Sequence, residues 1–187
     1  MEIEEQNVIL AQHPTFETER LLLRKLRLDD AEAMFSWASD PEVAAYVSWT
    51  AHKNMTETRQ MITRLMSAPL SKWGLVDKSS SRLIGTIDFR ITGKGLAEFG
   101  WALSREYWGR GLMPEAAATL VKFCFEELGL EVLCAIHNFK NPKSGRVMEK
   151  IGMRRLGQLY SSFDKFDKPV LDVYWALTKE EYDNAKN

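Results

Sequence analysis

The chain predicts an α+β fold, a mixed and mostly antiparallel sheet with helices on its faces, on three observations. Three apolar segments between Lys72 and Leu103 follow one another with only turns between them, the spacing of an antiparallel meander. Apolar residues then recur at helical spacing from Pro114 to Leu128. Beyond that helix, Val132-Leu133-Cys134-Ala135-Ile136 is a continuous apolar run, as expected of a strand in the middle of a sheet. No repeat, low-complexity tract or linker breaks the chain, so residues 1–14 read as an N-terminal extension and 15–187 as one domain. The 187 residues suffice for one full core.

Taken in order, Leu21 to Leu26 is a short apolar run that reads as the first strand. Asp29 and Asp30 are placed to cap a helix with Met34, Phe35 and Ala38 on its apolar face, ending before Asp40-Pro41. A second helix begins near Asn54, with Glu57 as a capping-box partner and Met61, Ile62, Leu65 and Met66 as its core stripe. The strands of the meander are Lys72 to Asp77, Leu83 to Ile91 after the Ser79-Ser80-Ser81 turn, and Leu96 to Leu103 after a loop with Gly93 and Gly95. The helix from Pro114 buries Ala117, Leu120, Val121, Cys124 and Leu128 and stops at Gly129, a natural C′ residue. Each large member of that stripe contributes ~1.5–3 kcal/mol when fully buried. Ser144 then caps a short helix carrying Val147, Met148 and Ile151, closed by Gly152. A last strand pair surrounds the turn from Asp164 to Pro169, and Thr178 with Glu181 forms a closing capping box.

Composition narrows the function classes. A net charge of −1 gives no indication of a nucleic-acid or membrane partner, and no run approaches the length of a membrane span. Cys124 and Cys134 lie in apolar surroundings without metal-ligand spacing, so both are expected as reduced core residues, with no metal. The acidic start, Met1-Glu2-Ile3-Glu4-Glu5, lacks the positive region of a signal peptide, and the expected location is the cytoplasm.

The most informative stretch is Trp108-Gly109-Arg110-Gly111-Leu112-Met113-Pro114-Glu115-Ala116. Pro114 suits the first turn of a helix, where its missing N–H is not needed. Gly109 and Gly111 free the loop before it to take positive φ and to admit a close neighbour. Several amide N–H groups then converge at the positive end of a helix dipole, a geometry that binds phosphate. From these residues alone a pyrophosphate cradle and a plain strand-to-helix turn are equally good readings.

Four segments together resemble the GNAT superfamily of N-acetyltransferases, and within it the RimJ/RimL-like branch that acetylates ribosomal-protein N-termini. They are Thr18-Glu19-Arg20-Leu21-Leu22-Leu23-Arg24, Ala97-Glu98-Phe99-Gly100-Trp101-Ala102-Leu103, Tyr107-Trp108-Gly109-Arg110-Gly111 with Glu115-Ala116, and Asn141-Pro142-Lys143-Ser144 leading to Val147-Met148-Glu149-Lys150-Ile151-Gly152-Met153. The resemblance spans roughly residues 16 to 180. One departure is Glu106, where the superfamily usually opens its phosphate loop with Gln or Arg.

The resemblance implies acetyl-CoA bound between two splayed central strands. Main-chain groups of Trp101, Ala102 and Leu103 would run beside the pantetheine, and amides of Trp108, Gly109, Arg110, Gly111, Leu112 and Met113 would take the pyrophosphate. Asn141 would bond the pantetheine arm, Ser144 would lie near the thioester, and Arg146, with Lys140 and Lys143 as further candidates, would face the nucleotide. Glu98 is the leading catalytic base, although a solvent-facing strand residue is an equally simple reading. His137 is the second candidate, and Ser144 is a candidate proton donor to the leaving sulfur. Trp37, Tyr46 and Trp49 are candidates for the wall of the acceptor cleft, Trp37 also reading as core.

The expected activity is acetyl transfer to a primary amine by direct attack, with a protein N-terminal α-amine first and small-molecule amines (polyamines, amino acids, antibiotics) second. A non-catalytic acyl-CoA-binding module is the alternative class. A dinucleotide-binding fold is excluded, because the glycines follow a meander and no βαβ unit with a downstream ribose-binding acid is present. A homodimer is expected only by analogy with relatives.

Overall fold

The computed structural model describes residues 1–67 and 70–186. Its centre is an eight-stranded sheet in the order β1-β2-β3-β4-β5-β6-β8-β7. The strands are β1 (Thr15–Glu17), β2 (Leu21–Arg24), β3 (Lys72–Asp77), β4 (Arg82–Gly93), β5 (Leu96–Leu103), β6 (Val132–Asn138), β7 (Arg154–Phe163) and β8 (Pro169–Thr178). Every pairing is antiparallel except that of β5 with β6. The helices are α1 (Ile3–Gln12), α2 (Ala31–Ala38), α3 (Pro41–Ala44), α4 (Met55–Met66), α5 (Leu112–Glu126), α6 (Pro142–Lys150) and α7 (Lys179–Asn184). The mixed, mostly antiparallel α+β architecture is the one the sequence predicts.

Strand alternation sends neighbouring side chains to opposite faces, and each face has its own core. Leu21 and Leu23 of β2 with Leu75 of β3 join Leu120, Val121 and Cys124 of α5 on one side. Leu22 packs on the other side, where Met34 and Trp37 of α2, Ile62 of α4 and Val76 cluster. The segment 1–14 is not bare chain. Leu10 of α1 is buried in the α5-side core, and Gln6 Nε2 donates to the Leu128 carbonyl at 3.1 Å.

Several local expectations change. Helix α5 starts at Leu112, with Gly111 at φ +78° as its N-cap, so Pro114 sits third in the helix and not first. Its interior amide-free position is still harmless, because the first four N–H groups have no partner in the helix. The N-cap of α6 is Asn141; Ser144 lies inside the first turn and does not cap the helix. On α4 only Thr58 and Ile62 are buried, while Met66 is exposed, because the helix packs mainly against α2. Phe35 of α2 is half-buried and Trp37 takes the core position instead. Asp30 does not cap α2 with its side chain; it forms a two-pronged ion pair with Arg24, with N–O distances of 2.8 and 2.6 Å.

Candidate active site

The site begins where two strands part. β5 and β6 pair from Leu96↔Val132 to Phe99↔Ala135 and no further, although β5 continues to Leu103 and β6 to Asn138. Each strand keeps its outer partner through the gap: Leu103 stays opposite Gly85 of β4, and Asn138 opposite Asp172 of β8. Only the inner edges lose their ladder. Unpaired backbone groups seek partners, so such a gap suits a ligand that runs alongside like a strand. The Ser104 N–H donates to the Ile84 carbonyl at 2.7 Å. By the alternation of an antiparallel ladder, Ala102 is therefore turned toward β4, and Trp101 and Leu103 toward the gap. The Leu103 carbonyl already accepts the Trp108 indole N–H at 2.8 Å.

Two cavities meet at this gap. One, of about 740 Å³, runs past Trp101, Ala102, Leu103, Trp108, Gly109, Gly111, Leu112 and Met113 to Asn141, Ser144 and Arg146. The other, of about 690 Å³, is lined by Glu98, His137, Asn138, Asp88, Asp172 and an aromatic wall of Trp37, Tyr46 and Trp49. Ala45, Tyr46, Val47, Trp101, Ala102, Lys140, Asn141 and Ser144 border both. A bound thioester lying in the first would thus face a nucleophile entering from the second.

The end of the first cavity is the loop into α5. Gly109 and Gly111 take φ +75° and +78°, the left-handed region that side chains other than glycine rarely adopt. Among the described residues, the N–H groups of Gly109, Arg110, Gly111, Leu112 and Met113 make no hydrogen bond within the protein, whereas the Trp108 N–H, expected to join them, donates to the Arg105 carbonyl at 3.1 Å and closes the preceding turn. Five free donors at a helix N-terminus fit a diphosphate. The Arg110 side chain lies outside the cavity, its guanidinium 5.0 Å from the Tyr107 ring centre. Lys143, Arg146, Lys140 and Lys150 line the same groove, with the Lys143 ammonium 3.8 Å over the Trp108 ring.

Asn141 Nδ2 donates to Ser144 Oγ at 3.0 Å, so the two residues point at the junction as one unit. Glu98 sits in the last paired stretch of β5, opposite Cys134, and its nearest cation is Arg90 at 3.5 Å. His137 Nδ1–H donates to the Asn138 carbonyl at 2.8 Å, which leaves the lone pair of the neutral ring on Nε2. That nitrogen packs against α6, where a Cβ on Gly145 would lie only 2.8 Å away.

Two contacts around the site join segments that the sequence does not connect. The β7–β8 hairpin brings Phe163, Asp164, Lys165 and Phe166 over the second cavity, and the Lys165 ammonium donates to the carbonyls of Ala44 and Trp49. A distant acid, Glu115, ties the start of β2 to α5. Thr18 Oγ1 donates to it at 2.5 Å, the Arg20 N–H at 2.9 Å and Arg20 Nε at 2.7 Å. Burial works against the Glu115 charge, but these donors outweigh it and hold the carboxyl below the ordinary glutamate value.

The sequence matches the acetyltransferase (GNAT) domain family over residues 20–154. The chain belongs to the GNAT acetyltransferase family. A relative from Bacillus licheniformis, an N-acetyltransferase known as p20, is 31% identical over 90% of this chain and 98% of its own length. The N-acetyltransferase YoaA of Bacillus subtilis is also 31% identical, over 86% of this chain and 96% of its own. A solved GNAT-family acetyltransferase from Bacillus anthracis superposes with a TM-score of 0.81 at 30% identity, covering 89% of this chain and 99% of that one. The protein is accordingly an N-acetyltransferase that uses acetyl-CoA and an amine acceptor. Among the described residues, no cluster of His, Cys, Asp or Glu is arranged to hold a metal, and no helix is long and apolar enough to cross a membrane.

Proposed function

We propose that this acetyltransferase acts on the α-amine of a protein or peptide N-terminus, by direct attack of the amine on the thioester. The observation that carries the reading is the pair of cavities meeting at the strand gap, with Glu98 and His137 on the acceptor side and the free amides on the other. Acetyl-CoA supplies an acetyl group already activated as a thioester. The N–H groups of Gly109 to Met113 would hold its diphosphate, the main-chain edge of Trp101 with the Leu103 N–H its pantetheine, and Asn141 the end of that arm. Ser144 would donate a proton to the leaving sulfur. Main-chain N–H groups at the parting strands would meet charge developing on the acetyl oxygen.

The acceptor must give up a proton. An α-amine with pKa ~7.7–8.0 costs about 1 kcal/mol to deprotonate at pH 7, whereas a lysine at ~10.4 costs about 4.6 kcal/mol. Glu98, which lines the second cavity, would take that proton directly or through water, which suffices for an α-amine and is strained for lysine. Thiol release measured against N-terminal peptides, polyamines and aminoglycosides tests the assignment. Turnover is expected with free peptide N-termini and lost when they are blocked. Preference for a polyamine or aminoglycoside overturns the acceptor, and CoA binding without turnover on any amine overturns catalysis.

A further inference from the structure

We propose that Arg20 is a positioning residue that aims the phosphate loop. The inference rests on the reading that the Gly109–Met113 amides hold the diphosphate. Arg20 Nη1 donates to the Arg110 carbonyl at 2.9 Å, while Nε and Nη2 grip Glu115 Oε2 at 2.7 and 2.6 Å. A peptide unit is planar and trans, so its C=O and N–H point in opposite directions. Holding the Arg110 carbonyl toward Arg20 therefore turns the Gly111 N–H away from it. Gly109 and Gly111, both at positive φ, leave this peptide free to rotate unless something fixes it.

Charge gives Arg20 a second task. Glu115 lies in the first turn of α5, beside the amides that receive an anion. Unpaired, its carboxylate would repel the diphosphate; the guanidinium cancels that charge on the face away from the cavity. Thr18 and the Arg20 main-chain N–H complete the clamp, so the segment leading into β2 fixes the loop leading into α5 across 90 residues of sequence.

Calorimetric titration with CoA, together with ¹⁵N spectra of the loop amides with CoA and with inorganic pyrophosphate, tests this. In the wild type the Gly111 amide should shift on adding either probe. In Arg20→Ala that shift should vanish while Leu112 and Met113, held by the helix, still respond. CoA should bind about 10- to 100-fold more weakly, as when a contact is misaimed by an ångström. Arg20→Lys should fall between, because one ammonium keeps the charge near Glu115 but cannot hold carboxylate and carbonyl together. Should Arg20→Ala lose its dispersed spectrum, Arg20→Lys carries the test alone. Wild-type loop amides that ignore CoA would overturn the phosphate reading itself. A normal wild-type response with unchanged Gly111 shifts and affinity in the Arg20 variants would sink only the role of Arg20.

Discussion

At Gly111 one backbone angle carries much of the site. A Cβ there would meet nothing closer than Arg20 Nη2 at 3.6 Å, so the obstacle to a side chain is φ +78° and not space. A β-branched residue forced into that region costs ~1–3 kcal/mol or lets the loop relax out of shape. Gly111→Val should therefore weaken CoA binding in calorimetry far more than Arg110→Ala, whose side chain points at Tyr107 and away from the cavity. The reverse order would remove the amide cradle. Glu98 makes its prediction through pH. Glu98→Gln should lower turnover most at low pH, where the amine most needs a base, and an unchanged pH–rate profile would exclude the carboxylate.

Elements are stapled to one another by single residues, and two staples are testable. Gly145 lets α6 lie against the His137 ring, since a Cβ would come within 2.8 Å of Nε2. Gly145→Ala should cost ~1–3 kcal/mol of overpacking strain. Because α6 carries Asn141 and Ser144, it should also raise the KM for acetyl-CoA. A variant with normal stability and KM would show that the ring yields. The Glu115 clamp joins β2 to α5 and depends on pH. Its folded pKa lies below the unfolded value of ~4.3, so its stabilisation is complete above that value and is lost as pH falls through the lower folded value. Urea unfolding of Glu115→Gln should show a shallower loss of stability below about pH 4 than the wild type.

The whole molecule is a sheet with a core on each face and an exposed edge strand, β7, and its two cavities meet where two central strands separate. Helix α1 closes the bottom of the α5-side core, through Leu10 at 3% exposure and the bond from Gln6 to Leu128. Leu10→Ala should destabilise by ~2–5 kcal/mol, and each kcal/mol should lower Tm by ~2–4 °C in a chain of this size. CoA affinity at 25 °C should stay unchanged, since α1 touches neither cavity. Unchanged Tm would mean that the helix is dispensable to the core.

Strands β3 and β5 stand between the very residues their apolar runs and the intervening turns marked out, Lys72–Asp77 and Leu96–Leu103. The positive φ of Gly109 and Gly111 was equally legible, because few residues other than glycine fit such a loop. Local signals erred where neighbours outbid them. Ser144 has the chemistry of a cap but sits inside the turn that Asn141-Pro142 begins, and Met66 has the spacing of a core residue at the end of a helix that packs mainly on α2. Sequence alone determined the family and the two-glycine loop ahead of α5, and it named the residues proposed for the site, since these depend on short-range geometry and residue type. Only the tertiary structure decided that β5 and β6 stop pairing after Phe99, that the β7–β8 hairpin lines the second cavity, and that Arg20 reaches Arg110. Those are contacts between segments tens of residues apart, set by how the sheet twists and closes, and no local pattern encodes them.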